Sequence, residues 1–356
     1  MHSSARGLQL LSQLALGHNA DEAVADVAAM DDQQRGRFRT LAYEHHVVIR
    51  ALQPLRTAAL ESSHPELAEW AATELAAEQG RIANALDFLA EICFELEAAG
   101  CPVTVMKSLD HWPDIGNDLD LYTTAGHEQT SRLMAERFQA VRLHPTWGDR
   151  LAEKRSFRIP GLKATVEIHH GRLGQTGEHR LLAKRFVERQ MPADFAGHTF
   201  MVPAPEERII AATLQRMYRH LYIRICDVLN TGTIVERGVL DYGELRAAAE
   251  CSGIWPGVAS YLQIVADYWA KYRRPALSLP HSVTESALMN GNSLFVRGVW
   301  LRIPVFPRSL SLYGRQLAGM ASRGDIRGTC RLSLLPPLAS IAQLAYRMTG
   351  DPSGIW

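Results

Sequence analysis

The chain has 356 residues, 47% of them hydrophobic, with 38 basic against 38 acidic side chains and a formal net charge of zero. This composition excludes a disordered or collagen-like chain, allows two domains or one domain with helical extensions, and gives no overall pull toward nucleic acid or an anionic membrane. The five cysteines, Cys93, Cys101, Cys226, Cys251 and Cys330, are odd in number and form no Cys-x-x-Cys pair, so neither a disulfide framework nor a zinc site is expected.

Residues 1–99 read as helical nearly throughout, with Leu75, Ile82, Leu86, Leu89, Ile92 and Leu96 at helix spacing among Ala, Glu and Gln. Gly100 and Pro102 stop that pattern. The period then changes to two, and strands are expected over 103–107, 118–122, 155–159 and 164–169, as the one convincing sheet. A helix over 128–139 separates the second strand from the third, and Pro160-Gly161-Leu162-Lys163 suits a hairpin between the last two. After Pro203 and Pro205 helices are expected over 206–230, 242–251 and 258–272, followed from Arg273 by a basic tail punctuated by Pro and Gly.

The expected architecture is therefore α+β: a helical region over 1–99, a small mixed sheet over 100–202, a helical domain over 203–272 and a tail over 273–356. Charge is uneven along it, with 7 Lys/Arg against 15 Asp/Glu in residues 1–100 and 11 against 3 in residues 271–356. The two ends pack near each other, or simply solvate different faces, or the basic end meets an anionic acceptor. No secretory leader opens the sequence and the last apolar stretch is broken by Pro336 and Pro337, so a cytoplasmic protein without a membrane span is expected.

In Asp118-Leu119-Asp120-Leu121-Tyr122 the alternation puts both carboxylates on one strand face and both leucines on the other. Two adjacent acids repel unless a cation lies between them, and magnesium takes carboxylate together with phosphate oxygens. In Ala164-Thr165-Val166-Glu167-Ile168-His169 the same alternation brings Glu167, with Thr165 and His169, to the polar face. Glu167 is thus a candidate third metal ligand and acceptor of a proton from an attacking hydroxyl, whereas each acid alone is equally consistent with a solvated strand residue. Of His169 and His170 only one can join the acids, and His169 is expected to orient them.

Lys107-Ser108, nine intervening residues and then Asp118-Leu119-Asp120 resembles the polymerase-β-type nucleotidyltransferase pattern of a Gly-Gly or Gly-Ser pair, a strand with two acids and a later third acid. Within that superfamily the chain is similar to a bacterial group of uncharacterised nucleotidyltransferases, with Glu167-Ile168-His169 fitting its Asp-hydrophobic-His third-acid signature with Glu replacing Asp. The likeness spans roughly residues 75–270. It implies a metal-dependent transfer of a nucleoside monophosphate from an NTP, with Mg2+ or Mn2+ held by Asp118, Asp120 and Glu167. Lys107 and Ser108 would meet phosphate. The acceptor is expected to be a small molecule or peptide rather than long nucleic acid.

The departure is at Lys107, where the family keeps glycine so that backbone N–H groups approach the triphosphate. A site weakened into a non-catalytic nucleotide- or partner-binding protein is the alternative. Arg216, His220, Arg224 and Asp227 fall four, four and three apart on the expected 206–230 helix. Arg216 and Arg224 then face triphosphate with Asp227 orienting one of them, or the stripe is an exposed helix face. His111 and Trp112 lie in the loop before Asp118, where the ring either stacks on a base or packs.

Overall fold

A computed structural model describes residues 2–17, 20–338 and 341. The fold is mixed α+β with small sheets. Five helices open it: α1 (His2–Leu16), α2 (Ala20–Ala28), α3 (Asp32–Glu44), α4 (Val48–Glu61) and the 34-residue α5 (Pro65–Ala98). Helix α5 starts on Pro65, which needs no backbone donor in the first turn, and buries Leu75, Ile82, Leu86, Leu89, Ile92 and Leu96 along one stripe against α4 and the sheet. The Ser12 hydroxyl meets that of Tyr268 at 2.7 Å, tying α1 to a helix 256 residues later.

The central sheet holds β1 (Val103–Val105), β2 (Asp118–Thr123), β3 (Val141–Arg142), β4 (Lys154–Arg158) and β5 (Thr165–His170), in the order β1-β2-β5-β4-β3. Strands β2 and β5 run parallel and the other neighbours antiparallel, so the two acid-bearing strands lie side by side. Leu119, Leu121, Val166 and Ile168 are fully buried on one face, which fixes the register because a one-residue slip would expose all four. The β4–β5 turn uses Gly161 at φ 82°, a conformation that favours glycine. Helix α6 (His127–Phe138) leads from β2 to β3, and α7 (Trp147–Leu151) precedes β4.

Beyond the central sheet, α8 (Arg180–Glu188) leads into a hairpin of β6 (Gln190–Phe195) and β7 (His198–Pro203), which the sequence pattern did not announce. The helix expected over 206–230 is also broken. It divides into α9 (Pro205–Thr213), a π-helical segment over Leu214–His220, Leu221 at φ 53°, β8 (Tyr222–Ile223) and α10 (Ile225–Glu236). Helices α11 (Tyr242–Glu250) and α12 (Trp255–Tyr272) follow.

The described part of the stretch from Arg273, expected as a tail, is folded. It holds α13 (His281–Ser286), β9 (Phe295–Arg297), β10 (Trp300–Arg302), α14 (Leu310–Ser322) and α15 (Ile326–Ser333). Strand β10 pairs with β8 and β9, and the Arg331 guanidinium donates to the carbonyls of Leu151 and Thr176 at 2.8 Å each. Among the described residues no helix is long and apolar enough to cross a membrane.

Candidate active site

The parallel register sets Asp118 opposite Thr165 and Asp120 opposite Glu167. Because side chains alternate, Asp118, Asp120, Glu167 and His169 share the face opposite the buried leucines. Asp120, Glu167 and His169 each offer a ligand atom, all within 4.8 Å of one another. Asp118, the first residue of β2, is exposed and stands outside this set, although the charges of Glu167 and Asp120 act on it. His170 points away, its Nδ1 against the Ala125 carbonyl at 3.0 Å and its ring 4.0 Å from that of His127.

Two lysines already meet the inner carboxylates. The Lys107 ammonium donates to Asp120 Oδ1 at 2.6 Å, and that oxygen also accepts from His169 Nε2 at 3.1 Å. The Lys154 ammonium donates to both oxygens of Glu167, at 2.9 and 3.0 Å, and pairs with Asp149 at 2.9 Å. Burial penalises the Asp120 carboxylate, but Lys107 and the His169 hydrogen bond outweigh it and hold its pKa well below the usual range. Asp118 goes the other way: partial burial of its carboxyl, then the charges of Glu167 and Asp120, push it up to about 6. Burial and the nearby Lys107 lower His169, which is therefore neutral and donates through Nε2.

Lys107 is held in an unusual backbone shape. Its φ is 62° with ψ −48°, and the Ser108 N–H donates to the Met106 carbonyl at 2.7 Å, closing a γ-turn on the lysine. Glycine adopts positive φ without clash and lysine does not, so position 107 carries strain where the resembled pattern carries glycine. The turn aims the ammonium back at Asp120. The Ser108 hydroxyl accepts from the Asp120 N–H at 2.7 Å and donates to the Asp118 carbonyl at 3.2 Å, so it clamps the β2 backbone and is engaged before any phosphate arrives.

The second group does not lie on one rod. Arg216, about 1% exposed and within the π-helical segment, pairs through Nε with Asp227 on α10 at 2.7 Å, although the turn at Leu221 and β8 separate them in the chain. Arg224 precedes α10, its backbone N–H donating to Asp227 at 2.7 Å. Its guanidinium packs on His46 and lies 5.7 and 5.5 Å from the ring centres of Tyr222 and Trp300, which stack on each other. Burial first, then Arg219, Arg216, Arg224 and Lys107, push His220 down to about 2. His111 stacks on His46 at 5.0 Å, and Trp112 packs edge-on against Phe195 at 5.8 Å, so that tryptophan belongs to packing.

Arg219, not singled out in the sequence, lines a cavity of about 60 Å³ with Met106, Lys107, His169 and Gln215. Arg208, held by Asp110 at 2.6 Å, lines a water-sized pocket on the other side of Lys107 together with Asp227. Lys154 was missed because it sits one residue before the expected strand, where lysine reads as a solvated end. Comparison with protein-family models, curated proteins and solved structures returns no match.

Proposed function

We propose that the chain is a metal-dependent nucleotidyltransferase of the polymerase-β type, a cytoplasmic enzyme that moves a nucleoside monophosphate from an NTP to a hydroxyl of a small molecule or peptide. One observation carries the reading. Asp120 stands beside Glu167 on adjacent parallel strands, with Asp118 two residues earlier on the same face. Carboxylates converging on one sheet face suit Mg2+ or Mn2+ whose remaining positions are filled by nucleotide phosphate. Asp118 supports the fit, since it stands on the same face close enough for the charges of Glu167 and Asp120 to raise its pKa.

In this reading Asp118, Asp120 and Glu167 would hold the cation, which would supply charge neutralisation at the triphosphate. Lys107 releases Asp120 and turns its ammonium to the triphosphate, and Arg219 and Arg208 add positive charge from the flanking cavities. Glu167 takes the proton of the acceptor hydroxyl as that oxygen attacks the α-phosphorus and pyrophosphate leaves. Lys154 positions Glu167 from β4, and His169 positions Asp120.

A second reading, a non-catalytic nucleotide- or partner-binding protein, is favoured by the lysine ammonium groups already seated on Asp120 and Glu167. The deciding experiment is calorimetric titration with each NTP, with and without magnesium, followed by label transfer to cell-extract small molecules, proteins and RNA. Magnesium-dependent binding with a labelled product supports the transferase. Binding without any labelled product supports the second reading, and equal binding in EDTA removes the carboxylate metal site.

A further inference from the structure

The cavity of about 60 Å³ that touches Lys107 and His169 shares a wall with a second one. Gly174, Gln175 and Leu214 form one wall of it, and the same three residues wall a second cavity of about 180 Å³ behind them. The second chamber is flanked by the π-helical segment on one side and by α14 and α15 on the other, opens to solvent at Val305 and Leu310, and has a mainly apolar lining that includes Met217, Tyr218, Leu221, Tyr313 and Leu332. Gly174 is required at the join. Its φ is 94°, and a Cβ there would lie 2.3 Å from the Glu178 carboxylate, which the Thr176 N–H and hydroxyl hold at 2.9 and 3.0 Å.

We infer that the inner chamber is the acceptor subsite and that the acceptor is a small molecule whose hydroxyl is joined to an apolar body of about one ring. This rests on the nucleotidyl-transfer reading. The size argument is direct: an apolar cavity of roughly 150 Å³ has room for benzene, and this one, at about 180 Å³, is only slightly larger. A nucleobase with its sugar, or a peptide backbone with its unsatisfied polar groups, does not suit such a lining. With the ring in the inner chamber, the hydroxyl reaches the acid face past Gln175 and Leu214. Its oxygen then bonds to the α-phosphorus of the NTP, the α–β anhydride bond breaks, the hydroxyl proton passes to Glu167 and pyrophosphate departs.

The test uses benzyl alcohol as the probe on the full chain, followed by ligand-detected NMR without nucleotide and then with magnesium and a non-hydrolysable NTP analogue. Saturable binding is expected in the wild type, with glycerol giving none. Leu310, which lines the chamber yet is 56% exposed, offers a tolerant position for filling it. Leu310→Trp should weaken benzyl alcohol at least tenfold at an unchanged melting temperature, while Leu214→Ala should admit 2-naphthylmethanol, which the wild type rejects. An absence of benzyl alcohol binding, or binding that neither substitution alters, overturns the subsite. Benzyl alcohol binding in a protein that binds no magnesium-dependent NTP overturns the acceptor role together with the transferase reading, and leaves the chamber as a small-molecule site of another kind.

Discussion

Replacing Lys107 by glycine removes a strained backbone and a counter-ion in one step, and alanine at the same position separates the two. Both variants lose the ammonium 2.6 Å from Asp120, a pair whose side chains are 17% and 11% exposed. Removing one partner of so buried a pair costs about 3–5 kcal/mol, and the His169 hydrogen bond that remains on Asp120 puts the loss at the lower end. Alanine keeps the cost of positive φ and glycine does not, so Lys107→Gly should be more stable than Lys107→Ala by about 1–2 kcal/mol. The freed carboxylate should also bind a divalent cation more tightly, by at least about tenfold or 1.4 kcal/mol, because a monovalent competitor has gone. Urea unfolding of the three proteins and Mn2+ titration followed by electron paramagnetic resonance read both effects. Equal stability of the glycine and alanine variants would refute the strain, and equal Mn2+ affinity in wild type and Lys107→Gly would refute the competition.

Asp118 gives a pH signature: its folded pKa of about 6 lies above the unfolded value of about 4, so the native state holds the proton more tightly and stability falls as pH rises through that window. Asp118→Asn should remove this fall, and urea midpoints for the two proteins that stay parallel from pH 4 to 7 would contradict it. Glu167→Gln should keep NTP binding while label transfer drops by about 10²–10⁴, whereas Asp120→Asn should lose metal-dependent binding and transfer together; an active Glu167→Gln enzyme removes that residue from proton transfer. Arg219→Ala should weaken an NTP far more than its nucleoside in calorimetry, because Arg219 lines the cavity beside Lys107. Arg216→Met should instead lower stability by about 3–5 kcal/mol in urea unfolding, by leaving Asp227 buried without its partner; a change in NTP affinity at unchanged stability would restore Arg216 to the phosphate site.

What the residues made legible were the elements whose own pattern decides them. The stripe from Leu75 to Leu96 and the alternation in β2 and β5 each point one way, and the acid face follows from the second because a strand has only two faces. Long-range pairing was not legible. The apolar period runs smoothly through 206–230 with neither glycine nor proline to stop it, yet the chain turns at Leu221 so that β8 can pair with β10 some eighty residues later. The β6–β7 turn is made by Ala196 and Gly197, both at positive φ, and alanine lacks the Asn or Asp signal such a turn usually carries. Lys107 was visible as a departure, but where its ammonium points depends on a γ-turn that no residue type announces. The residue spacing leaves open which arginine Asp227 meets; it is Arg216 through the side chain, and the two meet across a chain reversal and not along a helix.

The bonds from Arg331 to Leu151 and Thr176 also set a timetable. Arg331 and Leu151 lie 180 residues apart. On a ribosome adding ~5–20 residues per second, the α7 end waits about 10–40 s for its partner. During that interval the helices of the first hundred residues and the acid-bearing strands can assemble, but the inner chamber has no far wall, because α14 and α15 supply it. Closing so long a loop is slow in refolding as well. A nascent or refolding chain should therefore acquire its metal face before its acceptor chamber, and the order of gain can be timed by Mn2+ binding against benzyl alcohol binding after dilution from urea.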